Sequence, residues 1–76
     1  MAAVMYDEHR ELVIQLTLTE KSAAWHYTVQ IGVGKDESFT PALPGFEEAF
    51  DKNDDIVEAS QTMLYRARAM IDQYLG

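Results

Sequence analysis

The stretch ELVIQLTLTEKSAAWHYTVQIGV, residues 11–33, decides how the rest of the chain is read. Leu12, Ile14, Leu16 and Leu18 alternate with Glu11, Val13, Gln15, Thr17 and Thr19, and a period of two means a half-buried β-strand. WHYTVQIGV repeats the pattern, with Trp25, Tyr27, Val29, Ile31 and Val33 opposing His26, Thr28, Gln30 and Gly32. Aromatic and β-branched residues support the same reading. Glu20 to Ala23 separate the two runs, so they form a hairpin. Even positions of the first strand must face odd positions of the second if both apolar sets share a side. The simplest register with that parity sets Leu18 against Trp25, Leu16 against Tyr27, Ile14 against Val29 and Leu12 against Ile31.

Outward from the hairpin the signals differ in kind. Gly34-Lys35-Asp36 is turn chemistry, because glycine supplies a positive φ and aspartate bonds nearby backbone. A short third strand is expected around Glu37 to Thr40, ended or held at an edge by Pro41, which has no N–H to donate. Residues 42–53 read as loop. Within them GFEEAF fits a helical turn by the spacing of Phe46, Ala49 and Phe50, and an extended piece by the parity of Phe46, Glu48 and Phe50. From Asp55 the period becomes helical: Ile56, Ser60, Met63, Leu64, Ala67, Ile71 and Tyr74 follow one side. Residues 1–10 carry no clear period and are expected to be a flexible leader. The expectation is one α+β domain over 1–76, a β-β-β-α unit with strands in 11–41 and a helix over 54–75. A three-stranded antiparallel sheet would have one face covered by the C-terminal helix and the other left wet.

At 76 residues the chain is near the size at which a core alone becomes marginal. Thirteen acidic residues against six basic ones give a net charge of −7. This argues against nucleic acid, whose binding needs Lys and Arg to displace counterions, and against an anionic membrane surface. Without cysteine there is no disulfide, thiolate metal site or cysteine catalysis. MAAVMYDEHRE has no basic run of the signal-peptide kind, and no apolar stretch approaches the roughly 20 residues that span a bilayer. The chain is read as soluble and cytoplasmic.

Several constellations invite chemistry. Asp51, Asn53 and Asp55 in DKNDDIVEAS match the first, third and fifth places of a calcium loop. That loop also needs glycine at the sixth place and a bidentate glutamate at the twelfth, where Ile56 and Thr62 stand. The competing reading is a helix start: Asp54 or Asp55 caps free amides, and Asp55 with Glu58 forms a D-x-x-E analogue of the capping box. His9 and His26 match no zinc-ligand spacing. Ser22, Ser38 and Ser60 have neither histidine near them in sequence, and GVGKDE lacks the third glycine of a dinucleotide fingerprint. No catalytic residue, cofactor or metal ligand is assigned, and the chain is read as no enzyme. The remaining candidate is an exposed Tyr-Arg-Met patch on the helix, Met63, Tyr65, Arg66, Arg68 and Met70, whose composition suits interfaces. The alternative reading has the methionines filling the core and Arg68 beside Asp72.

With these elements placed, the chain resembles the small uncharacterised bacterial β-β-β-α domains, through Ala67, Ala69, Ile71 and Asp72 after the WHYTVQIGV strand. That resemblance implies a fold and no activity. PALPG at 41–45 is similar to a segment of the HicB antitoxin family, which carries Pro-x-Leu-Pro-Gly before its helix, though here a longer insertion intervenes. This second resemblance implies an acidic protein that neutralises a basic partner. The leading expectation is a non-catalytic protein-interaction or self-association module, possible as a homodimer; the alternative is an acidic inhibitor or antitoxin.

Overall fold

The structure, a computed structural model, describes residues 2–76. Four strands, β1 (Ala2–His9), β2 (Leu12–Glu20), β3 (Ala24–Val33) and β4 (Thr40–Asp51), precede one helix, α1 (Ile56–Leu75). The strands form an antiparallel sheet in the order β1-β2-β3-β4, each paired with its neighbour in sequence. The α+β class and the covered sheet are as expected, but the sheet has four strands where three were expected.

Both added strands come from segments read as irregular. Residues 1–10 are not a loose leader: Ala2–His9 pairs in unbroken register with β2, from Ala2 opposite Thr19 to His9 opposite Leu12. The connection is Arg10-Glu11 alone, with φ of 51° and 73°, the positive pair that a two-residue type I′ hairpin requires. The stretch 42–53 is not a loop either, because β4 runs to Asp51. The third strand expected at Glu37 to Thr40 is replaced by a single 3-10 turn (Asp36–Ser38) before β4 begins at Thr40. GFEEAF is extended, with Phe46 opposite Val29, Glu48 opposite Tyr27 and Phe50 opposite Trp25.

The β3–β4 ladder is irregular on either side of Ile31, where β4 carries extra residues. Backbone approaches there are close. A Cβ on Gly32 would lie 2.0 Å from the Thr40 carbonyl oxygen, and one on Gly45 2.3 Å from that of Val29, so only glycine fits.

The β2–β3 register is two residues from the expected one. Leu16 faces Val29, Leu18 faces Tyr27 and Ile14 faces Ile31. Parity permits both registers. The observed one sets Glu20 opposite Trp25, where Lys52 bonds Glu20 at 2.6 Å and places its ammonium 4.2 Å from the centre of the indole. One cation thus serves two partners at the turn end of the hairpin.

The core lies between the central strands and α1. Ile14, Leu16, Tyr27, Val29 and Ile31 are buried beneath Ala59, Met63, Ala67 and Ile71. These four helix positions recur every fourth residue on one face, and the two alanines let the helix lie close to the sheet. Ile56 and Tyr74, expected on that face, are exposed at its ends. Tyr27, fully buried, ties helix to sheet. Its hydroxyl donates to the Ile56 carbonyl at 3.1 Å and meets the Ser60 hydroxyl at 2.9 Å, while its ring meets Phe50 edge-on at 5.5 Å.

The helix begins one residue after its cap. Asp55 accepts hydrogen bonds from the amides of Val57 and Glu58, so only its half of the expected box forms. Asp54 serves the preceding turn instead, accepting from the Asp51 amide at 3.1 Å. No helix among the described residues is long and apolar enough to cross a membrane.

Candidate functional site

The five residues expected to form one patch do not share a surface. Met63 is fully buried in the core and Met70 packs at its margin. Tyr65 points away from the sheet and is 73% exposed. Arg66 reaches toward β4, bonding Glu48 at 3.2 Å and lying 4.6 Å from the Phe46 ring centre. Arg68 reaches the opposite way, to Asp7 of β1 at 2.6 Å, and not to Asp72. The composition signal was real but helix phase divides it: residues 66 and 68 lie about 200° apart around the axis.

The remaining candidates are occupied locally. Asp51 accepts from the Asn53 amide at 2.8 Å, and Asp54 and Asp55 are used as described, so the calcium-like triplet is a turn followed by a cap. Among the described residues no three His, Asp or Glu side chains converge as metal ligands would. His9 contacts Asp72 at 2.8 Å, and Arg10 contacts the same oxygen at 3.3 Å. The hydrogen bond from His9, reinforced by Arg10, holds the Asp72 carboxyl below its ordinary 3.8. Lys52 likewise lowers Glu20 from 4.5, through its hydrogen bond and then its charge. Ser38 bonds the Lys35 backbone and Ser60 bonds Tyr27, which leaves neither hydroxyl beside a histidine.

What distinguishes one part of the surface from another is the pair of sheet edges. An outer strand presents a row of backbone N–H and C=O groups, a template for another strand unless it is blunted by proline, bulges or charge. β4 carries all three devices: Pro41 and Pro44, the irregular pairing around Ile31, and Glu47 and Glu48. β1 has no proline and no bulge, and its first half, Ala2-Ala3-Val4-Met5, is apolar and exposed. Val4 is 50% and Met5 45% exposed, on opposite faces of the strand.

The helix flank above β1 sets apolar Val57 and Leu64 among the polar Gln61, Arg68 and Asp72. Contacts from Arg68 to Asp7 and from Asp72 to His9 identify the stripe of α1 that overhangs β1, and helical spacing adds Val57, Gln61 and Leu64 to it. Val57 is 65% exposed. At the start of β1, Ala2, Ala3, Leu18, Glu20, Trp25 and Ile56 line a recess of about 200 Å³ whose surface is mainly apolar. Trp25 Nε1 is buried without a hydrogen-bond partner among the described residues. The free edge and the recess at its start together suit an extended segment: backbone groups for its backbone, apolar side chains for alternate residues.

No family model, curated protein or solved structure matches this chain.

Proposed function

We propose that this protein is a non-catalytic interaction module that takes an extended segment of a protein onto β1, adding a strand to its sheet. The contrast between the two edges carries the reading. β4 is defended by prolines, bulges and glutamates, whereas β1 has neither proline nor bulge and leaves an apolar first half, Ala2 to Met5, exposed ahead of Asp7 and Glu8. An apolar stretch of edge left bare is an association site by its physics, and side-chain pockets along it supply specificity.

The test is an amide map. When the isotope-labelled chain binds a protein, or is concentrated on its own, the resonances of Ala2 to Glu8 should move first and furthest. A response centred on β4, or on the outer face of α1 around Tyr65, refutes the reading.

A second reading is favoured by one observation. Asp54, Asp55 and Glu58 line a groove beside Phe50 at the opposite flank of α1, where a cationic protein would find three carboxylates and an apolar floor. This is the inhibitor or antitoxin alternative. It requires binding that weakens as salt rises and an amide map centred on Asp54 to Glu58.

A further inference from the structure

We infer that the segment docking on β1 is β1 of a second copy of this chain, paired antiparallel about a two-fold axis at Met5. The inference rests on the reading of β1 as the docking edge and adds the identity of the partner and the register.

Antiparallel pairing across a two-fold axis must match faces: residues that point toward α1 have to meet residues that point toward the other copy's helix. In β1 these are Ala3, Met5, Asp7 and His9, since their partners Leu18, Leu16, Ile14 and Leu12 form the covered face of β2. Face matching therefore puts the axis at a residue, and the candidates can be compared. An axis at Val4 pairs, among the described residues, only Ala2 to Tyr6. One at Tyr6 sets Val4 against the partner's Glu8 and Met5 against the partner's Asp7. One at Asp7 puts two carboxylates face to face, which opposes association.

The axis at Met5 avoids each fault. It uses Ala2 through Glu8, sets Met5 against the partner's Met5 on the helix side, and sets Val4 against the partner's Tyr6 on the other side, twice. Aliphatic and aromatic cross-strand pairs of this kind stabilise sheets. Asp7 and Glu8 fall opposite the partner's Ala3 and the partner's Ala2, so no like charges meet, both carboxylates stay toward the ends of the ladder, and Asp7 keeps its bond to Arg68.

The two-fold axis makes one continuous sheet from two four-stranded ones and brings both helices onto the same side. Each α1 lies over β2 and β3. The helix axes are then roughly 19 Å apart, four strand spacings, beyond the 8–10 Å of packed helices. Association therefore relies on the backbone ladder and on Met5, Val4 and Tyr6, with Val57 walling the groove between the helices. Because each copy carries −7, mutual repulsion opposes the dimer and salt should favour it. This is opposite in sign to the salt response of an acidic surface binding a basic protein.

Sedimentation velocity from micromolar to millimolar concentration, at low and high salt, tests the proposal. The wild-type mass should rise from 8.6 kDa toward twice that value, at lower concentration when salt is high. Met5→Lys and Met5→Glu should each remain monomeric, and an equimolar mixture of the two should recover the doubled mass, because the axis brings Lys and Glu together. Met5 is half exposed at an edge, so thermal melts of both variants should stay close to wild type, confirming that folding is intact. A wild-type chain that remains monomeric throughout overturns the second copy as partner and leaves β1 docking to the amide map. A dimer that neither substitution disturbs, or a mixture no more associated than its components, overturns the Met5 axis. A dimer whose formation leaves the β1 amides unmoved overturns both readings.

Discussion

Replacing Tyr27 with Phe removes one oxygen from the centre of the molecule and nothing else. The ring, fully buried and edge-on to Phe50 at 5.5 Å, has the same shape in both residues. What is lost is the hydroxyl that donates to the Ile56 carbonyl at 3.1 Å and accepts from Ser60 at 2.9 Å. Each such bond contributes about 0.5–1.5 kcal/mol net, so two would contribute about 1–3 kcal/mol. The Ser60 hydroxyl can turn back to the carbonyl four residues earlier, which is Ile56, and the expected loss is therefore about 1–2 kcal/mol. Against a total of roughly 4–11 kcal/mol for a chain of this length, that is a large share, and it should lower the melting temperature by roughly 4–16 °C. Urea unfolding followed by the fluorescence of Trp25, the single tryptophan, measures it directly. Ser60→Ala completes a double-mutant cycle: in the Tyr27→Phe background it removes the compensating bond and should carry the total loss toward the upper end of the two-bond figure. A loss below about 0.5 kcal/mol for Tyr27→Phe, the range of inert surface changes, would refute the claim that this hydroxyl anchors the helix.

Other outcomes follow from the turn, the cap and the ion pairs. Exchanging Arg10-Glu11 for Asn-Gly, the pair that type I′ turns prefer, relieves two non-glycine residues of positive φ and should raise stability by about 1 kcal/mol despite loss of the Arg10 contact; a lowered melting temperature would contradict the assigned turn. Asp55→Ala should cost about 1 kcal/mol by uncapping α1, with a smaller effect from Asp54→Ala, whose bond lies in the turn; equal effects in urea unfolding would put the cap elsewhere. The carboxyls of Asp72 and Glu20 should titrate below 3.8 and 4.5 respectively, and Lys52→Met should return Glu20 to its ordinary value in an NMR titration. Both folded values are depressed, so the stability that these pairs add is present above the ordinary carboxylate range and is lost as pH falls through the folded values.

The central strands and the helix were legible because burial on one side imposes a period. β2 and β3 face the helix with every second residue, and α1 faces the sheet with every fourth, so selection for the core writes the pattern into the sequence. The outer strands escape that rule. AAVMYDEH lies at an edge with both faces partly open, and no alternation marks it; its turn, Arg10-Glu11, lacks the glycine or asparagine by which type I′ turns are recognised. TPALPGFEEAFD reads as loop because of its prolines and glycine, yet proline costs an outer strand nothing where its N–H would face solvent. The interface composition of Met63, Tyr65, Arg66, Arg68 and Met70 was visible, but three-dimensional phase sends these side chains to the core, to solvent and to opposite edges. The β1 edge was missed because a free edge is a property of strand order, which no local spacing records.

Strand order also sets a sequence of events in folding. Each strand neighbours the next in the chain, so all three ladders close through short connections, the kind that form quickly. The helix comes after them in the chain, and it alone covers Ile14, Leu16, Val29 and Ile31. A chain emerging from the ribosome therefore has its whole sheet available before anything can shield the oily side of it. The interval between β4 and α1 is the moment of greatest exposure to chaperones and to aggregation, and the Tyr27 hydroxyl becomes the latch that ends it when Ile56 and Ser60 arrive.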